Sequence, residues 1–142
     1  MTPEQLVQSM LRTWTDDALD VARTLVTPDA TVWLASAPLD ATSTLNPGRD
    51  MPAGRWFDLL QAVLDQIPDG LEVVVHRMAH SGGWVAAEVE SRGALVDGRV
   101  YNMRYTFWFE VRDGLISHIR QYFDTEYGQQ FFLRIADEGS AG

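Results

Sequence analysis

The stretch VYNMRYTFWFEV, residues 100–111, alternates strictly. Tyr101, Met103, Tyr105, Phe107 and Phe109 fall on one side, and Asn102, Arg104, Thr106, Trp108 and Glu110 on the other. A period of two belongs to a β-strand, whose successive side chains point to opposite faces. Large groups on both sides predict a sheet covered twice, once by helices or a cavity and once by something else, such as a second subunit. An exposed Trp108 would count against that double cover. Downstream, Asp113-Gly114 is a tight turn pair that joins antiparallel neighbours, and 115–124 forms the next strand. Upstream, 71–78 and 84–92 are two more extended runs, set apart by His80-Ser81-Gly82-Gly83 and by 93–98. Four strands in succession predict a meander.

The front half changes period. Thr2-Pro3-Glu4-Gln5 carries a capping hydroxyl, a proline at the first helical position and a glutamine three residues after the cap. Leu6, Met10, Leu11 and Trp14 then predict a helix over 3–14. A second helix starts near Asp16 or Asp17 and runs to Thr27-Pro28, where proline stops it. Residues 31–35 read as a short strand, 36–53 as a long loop, 56–67 as a third helix and 127–135 as a short amphipathic tail. Helix, helix, strand, helix and then a strand meander is the order of an α+β fold with an antiparallel sheet, here a single domain over 1–142.

Composition excludes several functions. The 142 residues contain no cysteine, which removes disulfides, thiol nucleophiles and Cys-ligated zinc. All eleven basic residues are arginine, so Schiff-base chemistry and a P-loop lysine are unavailable, and no Rossmann glycine fingerprint occurs. No cofactor is expected. A net charge of -9 without an arginine cluster argues against nucleic acid as partner. His76, His80 and His118 lack the paired spacing of a zinc motif, so no metal site is expected, and no serine sits in a Gly-x-Ser-x-Gly elbow. No leader or membrane-spanning run is visible, which makes a cytoplasmic protein with a small-molecule ligand the expectation.

On the last strand His118, Arg120, Tyr122 and Asp124 share one face, opposite Ile119, Gln121 and Phe123. Two arrangements satisfy that row. Either it is a solvated edge with Arg120 paired to a carboxylate, or it lines a cavity in which a carboxylate beside a tyrosine transfers protons. Glu88, Glu90 and Arg92 form a similar row, which on a half-buried strand is ordinarily solvated. Trp14 and Trp33 belong either to the core or to the wall of an apolar pocket for a flat ligand.

Glu88 five residues before Gly93, the turn Asp97-Gly98-Arg99, Tyr101 through Tyr105, Asp113-Gly114-Leu115-Ile116 and Arg120-Gln121-Tyr122-Phe123-Asp124-Thr125 together carry a resemblance. With Leu19-Asp20 and Pro28-Asp29-Ala30-Thr31-Val32 it covers nearly the whole chain. The chain resembles the SnoaL-like branch of the nuclear transport factor 2-like superfamily, which also holds ketosteroid isomerases, limonene epoxide hydrolase and polyketide cyclases. The resemblance implies a cone-shaped, curved antiparallel sheet wrapped around three helices, a deep internal pocket and a homodimer through the outer face of the sheet. It implies Asp124 as catalytic acid/base, with Tyr122 and Arg120 as pocket-wall residues and Glu88 as the family's recurrent glutamate; together with the residues read above, the candidate site is Asp124 and Tyr122 as catalytic groups and Arg120, His118, Glu88, Tyr101, Met103, Tyr105, Trp14 and Trp33 as substrate-binding wall.

Departures narrow the activity. Where ketosteroid isomerases place their aspartate base this chain offers Trp33 or Leu34, and the first helix has no tyrosine. The epoxide hydrolase triad needs a second carboxylate where Arg104-Tyr105-Thr106 stands. Met103 takes a pocket position that relatives often fill with asparagine. Two readings stay open: a cyclase- or isomerase-type enzyme using Asp124, or a non-catalytic binding or accessory domain in which Arg120, Glu88 and Asp124 form a structural charge network. Residues 36–49 are expected to close over the mouth of the cone as a lid.

Overall fold

The structure is a computed structural model that describes residues 1–14, 18–35 and 50–128. Three helices, α1 (Pro3–Arg12), α2 (Leu19–Arg23) and α3 (Ala53–Leu64), accompany six strands. These are β1 (Val26–Leu34), β2 (Asp50–Pro52), β3 (Glu72–Ser81), β4 (Trp84–Ala94), β5 (Val100–Arg112) and β6 (Leu115–Phe123). They form one open, curved sheet in the order β2-β1-β6-β5-β4-β3, an α+β architecture as the element order predicts.

Local chemistry sets the boundaries. At the start of α1 the Gln5 amide N–H donates to Thr2 Oγ1 at 3.1 Å and the Thr2 N–H donates to Gln5 Oε1 at 2.9 Å, the reciprocal cap that Thr-Pro-Glu-Gln announces. The β5–β6 hairpin closes on Asp113 (φ 53°) and Gly114 (φ 79°), both left-handed as a two-residue turn between twisted strands requires. The meander β3-β4-β5-β6 is antiparallel throughout.

Three features differ from the sequence reading. β1 begins at Val26 and passes through Thr27-Pro28, because α2 ends at Arg23, before the proline. Asp50–Pro52, inside the stretch read as loop, adds a three-residue strand to β1. β1 also runs parallel to β6, so the sheet is mixed and not wholly antiparallel. The segment 36–49, with its expected lid, and most of the tail lie outside the described residues.

The inner face of the sheet carries the core. Leu6, Val7, Met10 and Leu11 of α1 and Phe57, Val63 and Leu64 of α3 are buried with Val85, Phe107, Phe109 and Ile119. Register shifts in β3–β4 and β5–β6 mark bulges, which bend the strands and deepen the curve. At Gly93 a Cβ would stand 2.6 Å from Ile67 Cγ2, so the strand passes the end of the helical layer at a distance that admits only glycine. The outer face is open: Trp108 is 43% and Tyr122 38% exposed, so no described element of this chain supplies the expected second cover. No helix among the described residues is long and apolar enough to cross a membrane.

Candidate functional site

A pocket lies between the helices and the inner face of the sheet. Leu59, Leu60 and Val63 come from successive turns of α3, and Leu34 of β1 and Leu71 complete an aliphatic wall. The opposite wall is aromatic and polar: Trp14 after α1, Trp56 of α3, Tyr101 and Tyr105 of β5, and Gln121 of β6. Its volume is about 40 Å³, room for a few water molecules.

The polar groups fall into two sets. Trp56 Nε1 donates to Gln121 Oε1 at 2.8 Å. Because an indole N–H is donor only, the atom it meets must be the amide oxygen, and the amide Nε2 is left with both hydrogens. Trp14 Nε1 is buried without a hydrogen-bond partner among the described residues. In the second set the Tyr101 and Tyr105 hydroxyls lie 2.5 Å apart, and Ser91 Oγ donates to the Tyr105 oxygen at 3.2 Å. Burial pushes the Tyr101 phenol well above its ordinary value of 10.0, and the neighbouring Tyr105 adds to the shift. Burial raises Tyr105 as well. Both are neutral hydroxyls at neutral pH, and among the described residues no Asp, Glu, His or Arg lines the pocket.

A stability effect follows from those raised values. In the unfolded chain both phenols ionise near 10, while in the fold they hold their protons to higher pH. Their contribution is therefore fully present below pH 10 and lost as pH rises through the folded values. The melting temperature is expected to fall steeply above about pH 10, and Tyr105→Phe is expected to flatten that fall. Thermal melts across the alkaline range check it.

The predicted site residues divide into two groups. Trp14, Tyr101 and Tyr105 line the pocket. Met103 faces the same side and is buried, but it packs toward Gly128 and is not part of the pocket wall. His118, Arg120, Tyr122, Trp33 and Glu88 stand on the other face of the sheet. The Arg120 guanidinium lies 4.2 Å from the centre of the Trp33 ring and donates to Tyr122 Oη at 3.2 Å. His118 Nδ1 is 2.8 Å from Thr31 Oγ1, and Glu88 pairs with Arg77 at 3.3 Å. Asp124 is exposed and accepts the Tyr127 N–H at 3.1 Å, capping a single helical turn at 125–128. The charge network expected of Arg120, Glu88 and Asp124 is therefore not formed, since each has a different neighbour. Parity is the reason: on β6 the inward positions are Ile119, Gln121 and Phe123, and the polar row alternates with them.

Beside the aliphatic wall, Trp56 and Gln121 are the polar-tipped pocket residues absent from the sequence-derived site. Trp56 lay in a helical apolar pattern and read as core. Gln121 was visible as the one polar residue between Ile119 and Phe123 on that face of the strand.

Comparison with known proteins agrees with this architecture. The candidate polyketide cyclase IdmH of Streptomyces antibioticus superposes with a TM-score of 0.75 at 21% identity, over 96% of this chain and 99% of that one. A loop-truncated variant of IdmH superposes at 0.74 with 25% identity, over 89% and 95%. An LEH-like epoxide hydrolase of M. tuberculosis superposes at 0.62 with 20% identity, over 96% and 93%. Among curated proteins none matches the sequence. A family profile described as SnoaL-like domain matches residues 7–119, and the chain belongs to that family.

Proposed function

We propose that this protein binds a small, largely apolar molecule in the pocket between α1, α3 and β5–β6, and acts on it as a cyclase-type enzyme whose polar groups at the site are hydrogen-bond donors rather than a carboxylate. One observation carries the reading: the pocket is walled by leucine, valine and tryptophan, and its polar groups are Trp14, Trp56, Gln121 and the Tyr101–Tyr105 pair. At about 40 Å³ the cavity must widen to admit a substrate, and once widened such walls would hold a flexible apolar chain with its reacting ends together. Charge developing on an oxygen during ring closure meets neutral donors in a dry environment. The similarity to a candidate polyketide cyclase supports the reaction class. Asp124 has a structural role as a helix cap in this reading, and we infer a homodimer through the open outer face.

A second reading, a binding or accessory protein without turnover, is favoured by the small cavity and by the missing base. The two share the pocket, so its occupancy is tested first. In a titration of ¹⁵N-labelled protein with acetophenone, the indole resonances of Trp14 and Trp56 are expected to move and those of Trp33, Trp84 and Trp108 to stay. Asp124→Asn is expected to leave the titration unchanged. Shifts confined to the three outer tryptophans, or loss of binding in Asp124→Asn, would contradict the assignment.

A further inference from the structure

We propose that the molecule taken by this pocket is uncharged and is recognised through a hydrogen-bond-accepting oxygen, a carbonyl or an ether, held by the Gln121 amide nitrogen and the Trp14 indole. The inference rests on the pocket reading above and adds to it the chemical class of the ligand.

The Gln121 oxygen is engaged by Trp56, and this fixes which end of the amide stays available: Nε2, a double donor with no partner among the described residues. Gln121 is 8% exposed and its side chain lines the pocket, so the free end of the amide faces whatever the pocket holds. Trp14 Nε1 is the buried side-chain donor that has no partner among the described residues, on a residue that is 2% exposed. A buried donor left unpaired costs about 1–3 kcal/mol. The Tyr101 and Tyr105 hydroxyls are already bonded to each other, with Ser91 behind them. What the wall offers a ligand is therefore N–H groups without net charge.

That inventory sorts ligands by charge. Among the described residues that wall the pocket, an ammonium group would find no carboxylate and a carboxylate would find no arginine; Arg120 lies on the outer face over Trp33. Moving either ion into such a site leaves its charge uncompensated, which is far more costly than leaving a neutral group unpaired. A neutral oxygen meets the donors and leaves nothing unpaired on either side. A hydrocarbon of the same shape fits the aliphatic wall but leaves both donors as they were.

Three ligands of nearly equal size separate these cases: acetophenone, ethylbenzene and benzoate, each followed through the indole resonances of the labelled wild-type protein. Acetophenone is expected to bind about tenfold tighter than ethylbenzene, the return of one net hydrogen bond, and to move the Trp14 indole proton downfield. Benzoate is expected to give no saturable shift at Trp14 or Trp56. Gln121→Glu keeps an acceptor for Trp56 Nε1 and removes one of the two donors, so the preference for the ketone is expected to shrink to what the Trp14 indole alone supplies, while the Trp56 resonance reports an intact fold. Equal affinity for acetophenone and ethylbenzene, or saturable binding of benzoate in the pocket, would overturn the ligand class and leave the pocket standing. If none of the three moves Trp14 or Trp56, the pocket reading itself falls. The wild-type comparison decides the matter even if Gln121→Glu does not fold.

Discussion

Phe107→Ala is expected to lower the stability of the fold by about 3–5 kcal/mol, the range for removing a fully buried phenylalanine. Phe107 has no exposed surface and sits at the centre of the aromatic stack on the inner face. Its ring stacks on Tyr105 at 5.1 Å and on Phe109 at 5.3 Å, and meets Trp14 edge-on at 5.4 Å. Truncation leaves a cavity between β5 and the end of α1, two elements that do not relax toward each other without unfolding. It also releases Tyr105 and Trp14, two walls of the pocket. Urea denaturation checks this, with the midpoint expected to fall at an unchanged slope. A loss below about 1 kcal/mol would mean that the inner face is not the core.

Trp108→Asp, one residue along the same strand, is expected to do the opposite. Trp108 points away from the core, meets Trp84 edge-on at 6.4 Å and shares the outer face with Trp33 and Tyr122. A face with several half-exposed aromatics fits a partner surface, and a tryptophan near the centre of an interface commonly carries 2 kcal/mol or more of its binding energy. In a two-fold dimer each substitution counts on both sides and sets two carboxylates into the apolar contact. The dissociation constant of the homodimer is expected to rise about 30-fold or more, with fold stability of the monomer little changed. Sedimentation velocity of parent and variant at matched concentration reads the shift. A monomeric parent, or a variant as dimeric as the parent, would remove the proposed interface.

These neighbouring substitutions show how much the sequence conveyed. The strict alternation of 100–111 sets Phe107 and Trp108 on opposite faces, as the burial pattern has them, but both faces carry large groups, so it did not tell the buried face from the open one, and the expected cover over Trp108 is absent among the described residues. Thr2 to Gln5 and Asp113-Gly114 announce their cap and turn because those residues satisfy or permit specific backbone geometry. β2 was hidden, since three residues in a polar stretch leave no periodic signal. The parallel pairing of β1 with β6 was hidden too, because periodicity does not encode strand direction.

The site was less legible than the fold, and β6 shows why. The hairpin starts with Arg112 opposite Leu115 and Val111 opposite Ile116. Continued without interruption, that ladder would set Phe107 opposite Arg120, and the row of Arg120, Tyr122 and Asp124 would turn toward the core. Instead Glu110 pairs with His118, and Ser117 is left without a partner. Its hydroxyl donates to the Glu110 carbonyl at 3.2 Å. This one-residue bulge moves the register by one, and a shift of one exchanges the faces. Gln121 then stands opposite Phe107 on the pocket side, and the ionisable row goes outside. A serine in a strand gives no sequence signal of such a bulge, so the choice between the two rows depended on the structure.

We propose that the chemistry of this protein belongs to the neutral pocket of Trp14, Tyr101, Tyr105 and Gln121 and not to Asp124. A crystal structure of the protein grown with acetophenone tests it most directly. Density for the ketone is expected inside the pocket, its oxygen within about 3 Å of Gln121 Nε2, with Asp124 still capping the turn at 125–128. A ketone bound on the outer face beside Arg120 and Asp124, with the pocket side chains closed on one another, would contradict it.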